Sequence, residues 1–113
     1  MGRIMEFDIK SDMPSANDAG IELAAIIREY RRKEKVIKII HGYGSSGKGG
    51  KIKVQVHKSL RNKLNNKEIK AYIPGESIGA LKGFDEVIRR YKHLIKDDSD
   101  FKKTNDGITY IIF

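Results

Sequence analysis

Val36-Ile-Lys-Ile-Ile-His-Gly-Tyr-Gly-Ser-Ser-Gly-Lys-Gly-Gly50 concentrates the residues that could do chemistry. A β-branched run, Val36 to Ile40, ends on His41, and Gly42, Gly44, Gly47, Gly49 and Gly50 follow within nine residues. Glycine lets the backbone approach a ligand closely and adopt positive φ, so bare N–H groups can face an anion. Lys48, Lys51 and Lys53 come next, at what reads as the start of a helix, where the dipole also favours negative charge. An anion, most naturally a phosphate, suits this order. His41 is open to two roles, a structural hydrogen-bonder at a strand end or a group that contacts and protonates a phosphate oxygen. Gly42 to Lys48 also fits the G-x-x-x-x-G-K of nucleotide-hydrolysing enzymes, but Gly49 stands where a hydroxyl must hold magnesium. A mononucleotide-binding enzyme is therefore disfavoured.

Several elements must position that stretch. Ile4 to Ile9 reads as a first strand, with Met5, Phe7 and Ile9 on one face. Pro14, Ser15 and Asp18 form a helix-start signal, and apolar residues from Ala16 to Tyr30 recur at three and four, as in an amphipathic helix. Val36 to Ile40 reads as a central strand. Lys51 to His57 alternates like a strand, yet Ile52, Val56, Leu60 and Leu64 recur every four residues, so a helix is expected. Ile69 to Ile73 reads as the third strand, closed by Pro74-Gly75, and residues 78–96 as a second long amphipathic helix in the later half. Asp97, Asp98 and Asp100 read as a solvated acidic loop, and Ile108 to Phe113 as the last strand. The order β-α-β-α-β-α-β predicts a single-domain α/β layered sandwich over residues 1–113, with a mixed four-stranded sheet.

Composition narrows the partners. The formal charge is +8, and from Lys48 to Lys70 eight basic residues face Glu68 alone. Such clustering attracts polyanions, although a basic surface also serves solubility. The chain has no cysteine, hence neither disulfides nor thiolate metal sites. No apolar run approaches the roughly 18 residues of a membrane span, and the N-terminus carries no signal-like apolar region. A cytoplasmic protein without membrane partners is expected. No His/Asp/Glu spacing makes a strong metal site.

Ile40-His41-Gly42-Tyr43-Gly44 is similar to the H-G-x-G signature of Smr domains, the small MutS-related modules, whose signature strand is followed by a Gly-containing loop and a basic helix. The resemblance spans roughly Phe7 to Phe113. The family's L-D-x-H motif would align with Phe7-Asp8-Ile9-Lys10, where Asp8 matches and Lys10 replaces the histidine. The G-T-G-x-L-R stretch is expanded to Gly44 through Lys53, and the helix over 78–96 looks inserted.

The resemblance implies nucleic-acid binding, of DNA or RNA, with phosphodiester cleavage (nicking) as an extension that would make the chain an endonuclease. Asp8, Lys10 and His41 would be the catalytic group. Lysine keeps a cation near a phosphate but lacks the poise of imidazole, so binding without cutting is one outcome. Gly42, Tyr43, Gly44, Ser45, Ser46, Gly47, Lys48, Lys51, Lys53, Lys58 and Arg61 would bind the nucleic acid, with Tyr43 able to stack on a base. A divalent cation would be the cofactor if the chain cleaves. The alternative of another class is a non-catalytic interaction module whose loop docks an acidic protein.

Overall fold

The computed structural model describes residues 3–11, 15–42, 47–79 and 83–113. Strands β1 (Met5–Asp8), β2 (Val36–Ile40), β3 (Ala71–Pro74) and β4 (Ile108–Ile112) form one sheet in the order β1-β2-β4-β3. β1 and β2 run parallel, with Asp8 opposite Ile40, and β4 is antiparallel to both β2 and β3. The expected α/β domain with a mixed four-stranded sheet is what forms.

Helices α1 (Ala16–Tyr30) and α2 (Gly47–Asn65) cover one face. Ser15 caps α1, its Oγ accepting from the N–H of Asp18 at 3.0 Å, a bond worth about 1 kcal/mol. Ala19, Leu23 and Ile27, one per turn, are fully buried against Ile52, Val56 and Leu60 of α2 and Ile37 and Ile39 of β2. The four-residue spacing in α2 therefore outweighs the local alternation. Its helix nevertheless begins at Gly47, inside the glycine-rich stretch, rather than at Lys51. The intervening loop is shorter than expected.

Helix α3 (Asp85–Ile95) covers the opposite face, where Ile95 packs with Val36, Ile73, Ile108, Tyr110 and Ile112. The helix expected over 78–96 is thus shorter. A 3-10 segment occupies Gly75–Gly79, and Gly83 has φ +84°, a conformation that no helix continues through. The third strand also starts later than expected, at Ala71, because Ile69 turns in toward the α1/α2 core.

A second correction concerns Asp98 and Asp100, which do not sit in a solvated loop. Strand alternation sends Val36, Lys38 and Ile40 to the α3 face, and Lys38 there is 3% exposed. Its Nζ lies 3.0 Å from Asp98, 2.7 Å from Asp100 and 3.4 Å from Glu6. The side chains of Asp98 and Asp100 keep only 12% and 17% of their exposure. Tyr110 donates its hydroxyl to Asp98 at 2.7 Å, and Asn105 donates its amide to Asp100. A lysine inside a central strand needs counter-charges, and the carboxylates fold over the sheet to supply them.

Candidate functional site

The parallel ends of β1 and β2 lie side by side. Ile9 donates its N–H to the Ile40 carbonyl at 3.1 Å, so the chain after Asp8 continues beside His41. Asp8 accepts from the N–H groups of Lys10 and Ser11 and from the Ser11 hydroxyl at 2.7 Å. Burial pushes its pKa up, but these hydrogen bonds and the Lys10 charge outweigh burial and hold the carboxyl below its usual range. Lys10 Nζ lies 3.6 Å from Asp8. The Lys10 stem packs over Gly42, where a Cβ would come within 3.2 Å of Lys10 Cδ. With φ at +89°, Gly42 also holds a conformation that other residues rarely adopt. Asp8, Lys10 and the His41–Gly42 corner are therefore neighbours.

The His41 ring, however, faces inward and is 0% exposed. Its Nδ1 lies 2.9 Å from the Gly42 carbonyl and its Nε2 2.8 Å from Thr109 Oγ1. A carbonyl only accepts, so the neutral ring carries its proton on Nδ1, and Nε2 must accept the Thr109 hydroxyl proton. Thr109 Oγ1 in turn takes a hydrogen bond from His57 Nε2 at 3.1 Å. The direction of the whole relay is thereby set: His57 N–H to Thr109 O–H to His41, then His41 N–H to the Gly42 carbonyl. The two imidazoles stand edge to face, centroids 5.4 Å apart, and Tyr72 flanks His57 at 6.2 Å.

Both rings are held neutral. Burial is the main cause for His41, reinforced by Lys53 and opposed by the Gly42 carbonyl, Glu76 and Asp106. Burial also leads for His57, with His41, Lys53 and Arg61 adding to it, and the result is a pKa of about 4. His57 was missed in the sequence because nothing there distinguishes it. The available signal was positional: four-residue spacing places it beside Val56 on the inner side of α2.

The outer side of α2 is different. The helix carries Lys48, Lys51, Lys53, Lys58, Arg61 and Lys63 and no carboxylate. Lys53 is tied to Glu76 at 2.9 Å and Lys63 to Glu68 at 3.5 Å. Lys51, Lys58 and Arg61 are exposed, and no ion pair among the described residues engages them. Together with Val54, 67% exposed, they recur at three, four and three residues, which makes one row along the solvent face. From Lys51 to Arg61 the row spans about 15 Å at about 1.5 Å per residue. Tyr43, Gly44, Ser45 and Ser46, and the side chain of Lys48, lie outside the described residues.

Among the described residues no cluster of three or more His, Cys, Asp or Glu is placed to hold a metal ion, and no helix is long and apolar enough to cross a membrane. A cleft of about 820 Å³ opens at the opposite end of the sheet, lined by Arg3, Glu6, Lys33, Lys38 and Asp98 among others. Its cations and carboxylates are interleaved, so it favours neither sign of ligand. Comparison with protein-family models, with curated proteins and with solved structures finds no match for this chain.

Proposed function

We propose that the chain binds the phosphate backbone of DNA or RNA along the exposed face of α2. The observation that carries this reading is a 19-residue helix with six cations and no carboxylate, three of the cations in one solvent-facing row. Phosphate-bound counterions are released as such a row docks, which supplies affinity without base contacts. The helix dipole adds positive potential at the N-terminal end of the same helix. Lys53 contributes by fixing the helix to Glu76 rather than by meeting the ligand. Binding is favoured over cleavage, because His41 spends both ring nitrogens on buried partners. Cleavage at the Asp8, Lys10 and His41 corner would need that imidazole to reach solvent.

A fluorescent single strand and a fluorescent duplex, titrated by anisotropy across 50–200 mM salt, test the reading. Three neutralised phosphates give log–log slopes of about −2.7 on duplex and about −2.1 on single strand. The Lys51→Gln/Lys58→Gln/Arg61→Gln variant should lose that slope and most of the affinity. Wild-type protein that binds neither probe at low salt, or a variant that binds as well as wild type, would overturn the proposal. Val54, apolar and exposed amid the cations, favours a second reading in which an acidic protein segment docks there. That reading predicts failure with both probes and retention of an acidic peptide with apolar residues.

A further inference from the structure

The hydrogen-bond relay has a built-in polarity that one proton reverses. We propose that His57, Thr109 and His41 form an acid-opened latch, which fastens α2 and the Gly42 corner to the sheet while both rings are neutral and releases the corner when His41 is protonated. This inference concerns the inner side of α2 and holds whether or not the outer side meets a phosphate. At neutrality each contact has one donor and one acceptor. When a solvent proton bonds to His41 Nε2, that atom becomes a donor. The Thr109 hydroxyl hydrogen then has no acceptor there, and two imidazole N–H groups converge on one oxygen.

The surroundings oppose the new charge on several sides. Lys53 of α2 faces both rings as a cation, and Arg61, exposed one turn beyond His57, adds a smaller repulsion at His57 alone. Glu76, in the 3-10 segment, and Asp106, ahead of β4, are the carboxylates that face it, and Glu76 is already engaged by Lys53. Tyr72 of β3 contributes a ring against His57, and Lys10, beyond β1, closes over Gly42. The released element is small. The Nδ1–H of the protonated ring still donates to the Gly42 carbonyl, and the N–H groups of His41 and Gly42 both donate to the Gly107 carbonyl, at 2.9 and 3.1 Å, so ring and corner move together once the Thr109 contact is lost.

Imidazole nitrogen NMR on labelled full-length protein, followed from pH 7.5 to 4, tests the latch. At neutrality His41 should carry its proton on Nδ1 and His57 on Nε2. On acidification the amide resonances of Gly42 and Gly107 should shift with the midpoint of the His41 ring, while those of Leu23 and Ile27 in α1 stay in place. Thr109→Val removes the hydroxyl that the neutral His41 ring accepts from, so its midpoint should move to higher pH. The latch is overturned by His41 protonated on Nε2 at neutrality, by a Gly42 midpoint that differs from that of the ring, or by loss of the α1 signals in the same step. An unchanged midpoint in a folded Thr109→Val protein also overturns it. If that variant does not fold, the wild-type titration decides alone.

Discussion

Replacing Lys38 by methionine is the sharpest test of the sheet's charged interior. The substitution keeps the unbranched stem, one atom shorter, and removes its charge, which leaves Asp98 and Asp100 facing the α3 side of the sheet. Burial pushes the Lys38 pKa down, but hydrogen bonds and charge from Asp100 and Asp98 prevail and raise it above its usual value. Asp100 is the mirror case, held low by Lys38 and Asn105 against its own burial. Removing one partner of a buried pair costs about 3–5 kcal/mol. Asp98 keeps the Tyr110 hydroxyl and Asp100 keeps the Asn105 amide, so the lower figure, about 3 kcal/mol, is expected. At about 2.1 cal/mol/K per residue, 113 residues give a melting entropy near 0.24 kcal/mol/K, and Tm should fall by about 12 °C. Urea and thermal melts at pH 7 and at pH 4 supply the check. In the wild type the low Asp100 pKa stabilises the fold above the unfolded value near 3.8, and that contribution is lost as pH falls through the folded value. In the variant Asp100, no longer held low by Lys38, gains by taking a proton, so the gap to wild type should narrow toward pH 4. A loss below about 1 kcal/mol, or a gap that stays constant in acid, would show that water rather than Lys38 satisfies these carboxylates.

The paired histidines set the wild-type response to mild acid. Their folded pKa values lie below the unfolded 6.5, so the unfolded chain binds more protons and stability is lost as pH falls from about 6.5 toward about 4. Full conversion of the His57 shift would give about 3.4 kcal/mol. Solvent reaches that half-buried ring, so urea melts should show about 1–2 kcal/mol. A flat profile over that range, with the fold intact, would contradict the buried neutral pair. At Gly75 an added Cβ would clash with the Asn105 carbonyl and sit 2.9 Å from Ile108 Cδ1. Gly75→Ala should therefore lower the urea stability by about 1–3 kcal/mol, and a neutral result would mean that the two chain segments are not in contact.

Local pattern made the layered fold legible, and long-range pairing hid much of the site. Ser15 and Asp18 announce α1 because a cap is a contact three residues long. Ile52, Val56 and Leu60 announce α2 because its burial is periodic. The start of α3 is not legible, since the spacing of three and four reaches back to Ile78 in the sequence while the positive φ at Gly83 ends the helix there. Asp97 to Asp100 look solvated in sequence because their partner is some sixty residues away. Lys38 was the available signal, one cation in an otherwise apolar strand. Similarly, His41 and Gly42 stand out as a motif, but the residues that turn the ring inward, Thr109 and His57, lie in an apolar strand and a basic helix that give no hint of pairing.

Strand β2 carries two incompatible environments on alternate residues. Ile37, Ile39 and His41 belong to the hydrocarbon and imidazole side, while Val36, Lys38 and Ile40 belong to the side that holds the carboxylates. Insertion or deletion of a single residue within Val36–Ile40 would exchange these sides downstream of the change, stranding a cation among leucines and isoleucines or an imidazole among acids. A one-residue change in length is therefore expected to be absorbed in the connections and not in β2.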